Sequence, residues 1–476
     1  MPRTTPSFAF ILAACALIGC AAEPDRSASL PTAPVAFKEA DSRAPRLAAA
    51  LPENGAWWKV FGDPVLDDLV ERSDRGSWTI RLAAARLERA KAGLKAAEAA
   101  RMPLVTANAN ASRQDGPLTN AAGTSGNLFI GSMNLSYEVD LFGRLAKETD
   151  AAALDAAERA ALLRGARLVT QADVAQTYFS IRAIDMERAI LRGAMDSQRE
   201  TLKLMEGLVR SGLAAELATI RLVAETESIE AEARTLDRRR AELEHGLALL
   251  VGEPASGFAL AETAWSPTLP EIPAGIPSSV LIRRPDVAAA HQAMLAAQKR
   301  VGAARDSWLP TLSLTGVGGL ASSALTTLLS ASSAGALGVG ALLALPLFDG
   351  GRYQARVDRA DAELDESVAR NGQQILVAFK DVEDQLAALR VLRGQSAVLA
   401  QATASSARTT RMVESNYRSG LSSQLELLDA RRSELRNRRQ ALQVEAGRVQ
   451  ATVGLVRALG GGWGDISDRT QAAARP

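Results

Sequence analysis

The sequence predicts a mainly α-helical chain with transmembrane β-strands and two structural repeats. Three observations indicate this fold class: long proline-free stretches rich in alanine, segments in which apolar and polar residues alternate, and motifs that recur at one spacing. Hydrophobic residues make up 47% of the 476 residues, which is enough to bury a sizeable core. Aromatic residues make up only 4%, and abundant alanine is typical of long, closely packed helices.

The first 19 residues have the pattern of a signal peptide. Arg3 precedes an apolar stretch, Phe8 to Ile18, that is too short to span a bilayer as a permanent helix. The stretch ends in Leu17-Ile18-Gly19-Cys20, which matches a bacterial lipobox, so we expect Cys20 to carry a covalent lipid. A plain signal peptide with an incidental cysteine is the alternative, and Cys15 is a second candidate for lipidation.

Residues 20–52 are predicted to form a lipidated, proline-rich tether. Several prolines fall in this stretch without apolar periodicity, and this composition is typical of an extended linker. Ala21, rather than an aspartate, follows the cysteine, which favours sorting to the outer membrane.

The two halves of the mature chain repeat at a shift of 208 residues. Arg210-Ser211-Gly212-Leu213 recurs as Arg418-Ser419-Gly420-Leu421, and Arg144 corresponds in the same way to Arg352. Self-similarity at a fixed spacing indicates two copies of one structural unit. We therefore predict a first repeat at 53–264, a connection at 265–277, a second repeat at 278–462 and a C-terminal tail at 463–476.

Each half is expected to run helix, strand, strand, long helix, helix. In the first half, Leu66 to Ala100 is predicted to be one helix that ends before Pro103, and Val105 to Ser112 alternates like a strand. The next strand places one set of residues on a common face: Phe129, Gly131, Met133, Leu135, Tyr137 and Val139. The corresponding face of the second half is more apolar, with Leu337, Val339, Ala341, Leu343, Leu345 and Leu347.

Alternating strands of about ten residues with one oily face suit a transmembrane β-barrel. An ordinary soluble hairpin packed on its helices is the alternative. Four strands cannot close a barrel, and open strand edges are not tolerated in lipid. Three chains with four strands each would form a 12-stranded barrel, the smallest such assembly that leaves a channel, so the pattern predicts a homotrimer.

Long helices follow each pair of strands. From Arg144 to Arg210 no proline interrupts the helical spacing of apolar residues, which predicts a helix on the order of 100 Å long. After the glycine of the repeated motif, one apolar stripe consists of Leu213, Leu217, Ile220 and Ala224, and its counterpart of Leu421, Leu425 and Leu428. We interpret both stripes as helix–helix packing surfaces.

The composition also argues against several classes of function. Lys and Arg number 55 and Asp and Glu 54, so the chain lacks the basic surplus of a nucleic-acid-binding protein. Cys15 and Cys20 are the two cysteines, and His245 and His291 lack ligand-spaced partners, so we expect no metal site. Gly316-Val317-Gly318-Gly319 lies in strand-like sequence without the lysine of a phosphate loop, so we expect no catalytic residues and no enzyme activity.

A series of short motifs covers nearly the whole mature chain in order. They include Trp57-Trp58-Lys59-Val60-Phe61-Gly62-Asp63-Pro64, Tyr137-Glu138-Val139-Asp140-Leu141-Phe142-Gly143-Arg144, Arg283-Arg284-Pro285-Asp286, Pro346-Leu347-Phe348-Asp349-Gly350-Gly351 and Leu427-Leu428-Asp429-Ala430. Each is weak alone, but the ordered series resembles the outer membrane efflux protein (outer membrane factor) family, the TolC- and OprM-like exit ducts. Within this family the series is most similar to the NodT-type lipoproteins of RND-type tripartite efflux systems.

The resemblance implies a trimer whose 12-stranded β-barrel lies in the outer membrane and continues into a long periplasmic α-helical barrel. It implies an exit duct for drugs or other small molecules, fed by a periplasmic membrane-fusion adaptor and an inner-membrane RND-type pump. No cofactor is implied beyond the covalent lipid on Cys20. Residues 265–277 would contribute to an equatorial belt. A lipid-anchored periplasmic coiled-coil scaffold without channel activity is the alternative function.

The resemblance also implies a gated periplasmic entrance. In the family, acidic and bulky residues follow the glycine of the inner helix pair, and this places Leu425, Glu426 and Asp429 at the gate, with Tyr417 as a member of the latch. Carboxylates from three chains near one axis would attract cations. The alternative is that Glu426 and Asp429 merely suit the first turns of a helix, where acidic residues are favoured.

The two glycine turns are expected to lie at the tips of helical hairpins and to contact the adaptor. This assigns Gly212, Leu213, Gly420 and Leu421 to the adaptor contact. Ser422 stands where some family members place a basic residue that links neighbouring helices, so we expect the latch of this chain to differ from theirs.

Overall fold

The computed structural model describes residues 30–40, 55–115, 126–263, 265, 269–270, 272, 277–330 and 333–461. The predicted signal peptide, both cysteines and the tail at 463–476 lie outside these residues, as do most of the tether and most of the connection at 265–277.

The described residues form two successive copies of one order of elements: two helices, two strands, a long helix and a further helix. In chain order they are α1 (Pro64–Gly76), α2 (Trp78–Ala100), β1 (Leu104–Gln114), β2 (Gly126–Val139), α3 (Arg144–Arg210), α4 (Glu216–Val251), α5 (Pro277–Arg283), α6 (Pro285–Asp306), β3 (Thr311–Ser322), β4 (Ala334–Ala344), α7 (Arg352–Arg418) and α8 (Gln424–Ala458). Helices α3 and α7 each have 67 residues and begin 208 positions apart, which confirms the two structural repeats. None of the helices in the described part of the chain is both long and apolar enough to cross a membrane.

The chain divides into two compact units. The first contains residues 86–160 and 289–373, and therefore all four strands. The second contains residues 31–85, 161–288 and 374–461, and therefore the ends of the long helical hairpins.

The four strands form one antiparallel sheet in the order β1-β2-β3-β4. Val105 pairs with Leu135, Leu135 with Gly316 and Gly316 with Val339. Because paired residues of antiparallel strands project to the same side, this register puts the oily faces of all four strands on one side of the sheet. Val339 is 88% exposed, so that apolar side is uncovered in the single chain. The predicted strand faces are confirmed.

The predicted single helix from Leu66 to Ala100 is wrong, because the structure breaks it at Ser77. Ser77 has an extended backbone with φ −60° and ψ 124°. A Cβ atom on Gly76 would lie 2.2 Å from the carbonyl oxygen of Val251, so α1 ends directly against the end of α4. The extended Ser77 therefore separates α1 from α2.

The tryptophan motif fastens α1 to α3 in the core of the second unit. Asp63 caps α1 by accepting hydrogen bonds from the backbone nitrogens of Val65 and Leu66. Its other carboxylate oxygen accepts a 2.6 Å hydrogen bond from the Tyr178 hydroxyl on α3. Trp57 is 1% exposed and donates from its indole nitrogen to Gln171, also on α3. The motif therefore has a structural role.

Arg284 ties together three helices of the second unit. Arg284 is 7% exposed. Its guanidinium forms ion pairs with Asp286 at 2.6 Å and with Asp381 on α7 at 3.0 Å. It also donates to the carbonyl oxygen of Ala458, at the end of α8. Burial would raise the pKa of Asp286, but hydrogen bonding and attraction from Arg284 outweigh burial and lower it.

The described part of the tether lies on α7. The Glu383 carboxylate accepts hydrogen bonds from the backbone nitrogens of Lys38 at 2.7 Å and Glu39 at 3.0 Å. Arg390 in turn pairs with Glu39 at 2.7 Å, and Phe37 is buried. These contacts hold residues 37–39 against the part of α7 that belongs to the second unit.

Candidate functional site

The predicted entrance residues lie at the free ends of two helical hairpins, α3–α4 and α7–α8. Gly212 and Gly420, in the turns, have left-handed backbones with φ 73° and 76°, which glycine adopts without strain. In both turns the nitrogen of the following leucine bonds back to the preceding helix, Leu213 to Leu208 and Leu421 to Asn416. The proposed adaptor-contact leucines Leu213 and Leu421 are 78% and 79% exposed, as a docking surface requires.

Most of the residues in the apolar stripes after the two turns are exposed in the single chain. Leu217, Ile220 and Leu425 are 55% to 60% exposed. The buried positions on α4 are shifted by two residues from this stripe and include Leu222, Thr226, Ile229 and Leu236. Of the predicted stripes Leu428 is buried, against Leu222 and Met205. The physical reason is that the hairpins contact each other along a different face of α4, which leaves the predicted stripe open.

The two predicted gate carboxylates have different surroundings. Glu426 forms a capping box with Ser423, in which each side chain bonds to the other residue's backbone nitrogen. This is the helix-start role that the sequence left as the alternative, and it engages one carboxylate oxygen of Glu426. Leu425, Glu426 and Asp429, which lies one turn further along α8, are all exposed. The two acids therefore differ in their hydrogen bonding and not in their exposure.

Tyr417, the predicted latch residue, is half-buried against the cluster that joins the two hairpins. The cluster consists of Met205, Leu222 and Leu428, with Tyr417 packed on its side. Burial raises the pKa of the Tyr417 hydroxyl, although the nearby Arg431 opposes that shift. The phenol therefore stays protonated at neutral pH and can act as a hydrogen-bond donor.

Arg431 is the central polar link between the hairpins, and sequence reasoning missed it. From α8 its guanidinium donates to Gln198 at 3.2 Å and to Thr201 at 2.9 Å, both on α3, and it pairs with Glu414 on α7 at 3.1 Å. Its side chain is 15% exposed, so these bonds are largely shielded from water.

Two further arginines of α8 extend this link along the helix. Arg432 donates from Nε to Glu225 on α4 at 2.8 Å, and Arg439 pairs with Glu232 on α4 at 2.5 Å. The arginines are seven residues apart and so are the glutamates, which keeps each pair in step on neighbouring helices. Matching heptad spacing of opposite charges was the sequence signal that could have revealed these pairs. We call the contacts that Arg431, Arg432 and Arg439 of α8 make with α3 and α4 the cross-hairpin pairs.

A cavity of about 640 Å³ separates the four helices beside the cross-hairpin pairs. Gly193, Thr410, Glu414 and Arg431 line it, together with apolar residues such as Ile229. Gly193 itself is exposed. Beside the cavity, Leu191, Met195 and Ile229 are buried and Leu435 packs against them, so apolar contacts and polar bonds together hold the hairpins at this level.

Known proteins show extensive similarity to this chain. The family model described as outer membrane efflux protein matches residues 70–253 and 276–461. The outer membrane protein OprJ of Pseudomonas aeruginosa is 32% identical over 441 residues, covering 91% of each chain. The pyoverdine export outer membrane protein OpmQ of the same organism is 33% identical over 447 residues, covering 88% of this chain and 89% of the relative.

A solved structure has the same fold. The open state of the MtrE outer membrane channel of Neisseria gonorrhoeae has a TM-score of 0.82 at 27% identity, and the match covers 93% of this chain and 98% of that one. The mainly helical hairpins, the four-stranded sheet and these similarities over almost the full length of both chains lead to one conclusion. The chain belongs to the outer membrane efflux protein family.

Proposed function

We propose that the chain is an outer-membrane exit duct of a tripartite efflux pump whose periplasmic entrance is held closed by the cross-hairpin pairs. The duct conducts small molecules passively from the periplasmic side to the exterior, and three copies of the chain form it. Its relatives include a pyoverdine export protein, and several others with different cargoes in their names, so we assign no particular substrate.

The main support for assigning the chain as part of a duct is the four-stranded sheet with its open edges. Within the described residues, β1 and β4 each have one strand neighbour, and one face of the sheet is largely apolar, with Arg113 and Asn127 at one end of it. Unpaired backbone groups are costly in lipid, so strands with this pattern need neighbours from other chains to close a barrel. A scaffold protein in the periplasm would have no use for the exposed apolar side.

The hairpin ends support the closed entrance. Each cross-hairpin pair joins α8 to the first hairpin, so the two hairpins of one chain cannot separate without breaking charge-assisted bonds. Asp429 of three chains would lie near one axis and favour cations in the closed state. Breaking the pairs would allow the α7–α8 hairpin to move outward from the axis of the duct. The cavity beside Arg431 leaves room for that rearrangement.

The partners and the anchor follow from the same placement. A periplasmic adaptor would contact the exposed turn leucines Leu213 and Leu421, and an inner-membrane RND-type pump would supply the cargo. A lipid on Cys20, joined through the tether to the contact at Glu383, would hold the chain at the outer membrane. We propose no cofactor and no catalytic role.

Native mass spectrometry of the full mature chain in detergent tests this assignment, combined with current recordings in planar bilayers. The duct predicts trimers that conduct as one unit, and lipid-bearing chains whose added mass is lost when Cys20 is replaced by serine. Monomers that conduct no current would favour the coiled-coil scaffold.

A further inference from the structure

The loop between β3 and β4 folds back onto the sheet. It contains a short turn of helix at Leu325–Thr327, followed by Leu328 and Leu329. A Cβ atom on Gly131 in β2 would lie 3.7 Å from the Cδ2 atom of Leu328, so the leucine side chain covers that glycine. The loop is therefore not simply an extension of the two strands beyond the end of the sheet.

The strand register shows on which side of the sheet Leu328 lies. Gly131 pairs with Ala109 of β1 and with Leu320 of β3. Gly131 is two residues from Met133, and Leu320 is two residues from Gly318. Both therefore lie on the apolar side of the sheet, which also contains Leu135 and Val339. The opposite side contains Asn108, Ser132 and Thr315, which suit a water-filled lumen. Leu328 thus packs on the side of the sheet that faces lipid.

The composition of this hairpin fits contact with lipid. No charged residue or histidine occurs from residue 311 to residue 348. Leu325 and Leu329 are 65% and 89% exposed, on either side of the inward-packed Leu328. The loop between β1 and β2 differs, since Arg113 and Asp115 flank it.

The polar groups of the turn bond to one another. Thr327 donates from its hydroxyl to the carbonyl oxygen of Ala324, and the hydroxyls of Ser322 and Thr327 lie 2.7 Å apart. The backbone nitrogen of Leu328 bonds to the carbonyl oxygen of Leu325, and Ser330 donates to that of Thr327. Internal bonding of this kind lowers the cost of placing backbone and hydroxyl groups against apolar chains.

We propose that this turn inserts Leu325 and Leu329 into the acyl chains of the outer leaflet and anchors the barrel there. The loop is bent away from the lumen, so it is not a lid over the exit of the duct. The proposal rests on the placement of the strands in the outer membrane, and it adds a lipid-contact surface beyond the strands themselves.

Depth-dependent quenching of a fluorophore on a single cysteine tests the proposal. Leu329→Cys is labelled with a bimane in the full chain and reconstituted into phosphatidylcholine vesicles, with or without doxyl-labelled phosphatidylcholine. Val339→Cys, on the apolar side of β4, and Thr315→Cys, on the polar side of β3, are the lipid and lumen controls. The unsubstituted chain reports any label on Cys20.

The expected result is that doxyl lipid quenches the label at Leu329 as it does the label at Val339, while aqueous iodide quenches the label at Thr315 more strongly than either. Leu325→Cys repeats the measurement if Leu329→Cys does not assemble. The anchor would be overturned, and the duct left intact, by either of two outcomes while the label at Val339 remains sensitive to doxyl lipid. Iodide quenches both loop labels, or neither iodide nor doxyl lipid quenches them. Insensitivity of Val339 itself would instead contradict the placement of the barrel.

Discussion

Ser423 and Glu426 cap the start of α8 reciprocally. The Ser423 hydroxyl accepts from the Glu426 backbone nitrogen at 3.3 Å, and the Glu426 carboxylate accepts from the Ser423 backbone nitrogen at 2.9 Å. Replacing Glu426 by alanine therefore removes a helix cap as well as a charge, at a cost of about 1 kcal/mol in the free energy of unfolding. A test of the gate has to separate these two effects.

Glu426→Gln and Asp429→Asn separate them. Glutamine can keep the capping box, so both variants remove charge while the start of α8 stays capped. We expect Asp429→Asn to reduce cation selectivity more than Glu426→Gln, because the Glu426 carboxylate is held by the backbone nitrogen of Ser423, although both side chains are exposed. Reversal potentials in a salt gradient across planar bilayers measure this. Equal selectivity in wild type and Asp429→Asn would remove Asp429 from the gate.

Arg431→Met tests the central polar link. The change leaves Glu414, Gln198 and Thr201 without their shared donor in a largely shielded site. We expect a loss of about 1–3 kcal/mol in the free energy of unfolding, seen as a lower midpoint in thermal denaturation. Arg411→Met, an exposed arginine that lines the same cavity, is the matched control and should lie within about 0.5 kcal/mol of wild type. Equal loss in both variants would contradict the role of Arg431.

Gly252 and Gly76 make a backbone contact that no side chain can enter. A Cβ atom on Gly252 would lie 2.2 Å from the carbonyl oxygen of Gly76, and Gly252 also has a positive φ of 83°. We expect Gly252→Ala to cost about 3 kcal/mol or more, or to prevent assembly. Gly212→Ala is the control, since its φ is also positive but no other heavy atom lies within 4 Å of its Cβ position. It should cost about 1–2 kcal/mol for backbone strain alone, and denaturation midpoints compare the two.

The segment around Glu262 should loosen in acid. The hydrogen bond from Arg192 lowers the pKa of Glu262; burial opposes that shift, and Arg188 adds to the lowering. A carboxylate with a lowered folded-state pKa stabilises the fold above its ordinary pKa near 4.5. That contribution is lost as pH falls through the folded-state pKa.

Limited proteolysis between residues 255 and 263 measures this loosening as pH is lowered from neutral, using an acid-tolerant protease. Glu262→Gln should show the faster cleavage already at neutral pH, with little further change in acid. Cleavage of the wild type that is independent of pH would contradict the assignment.

The strands were predictable because their information is local. A period of two placed Phe129, Met133, Leu337 and Val339 on apolar faces, and the register then aligned those faces across four strands. The ends of α3 and α7 were equally predictable, because each is followed by a glycine of the repeated motif. Both glycines have a positive φ in the structure.

The features that sequence reasoning missed depend on contacts between distant segments. The break at Ser77 follows from the contact of Gly76 with Val251, which neither local sequence contains. The stripe at Leu217 and Ile220 has apolar spacing, but the packing of the hairpins buries Leu222 instead. For Glu426, its position three residues after Ser423 fits a capping box as well as it fits a gate, and the structure has the capping box.

The proposed closure of the entrance depends on the cross-hairpin pairs, and the unitary conductance of trimers in planar bilayers tests this most directly. Glu225→Gln combined with Arg432→Gln removes one pair between hairpins while keeping both side-chain sizes. Arg238→Gln combined with Glu242→Gln removes an exposed pair within α4 and is the matched control. We expect a larger conductance for the first double variant and an unchanged conductance for the second. Wild-type conductance in both would contradict it.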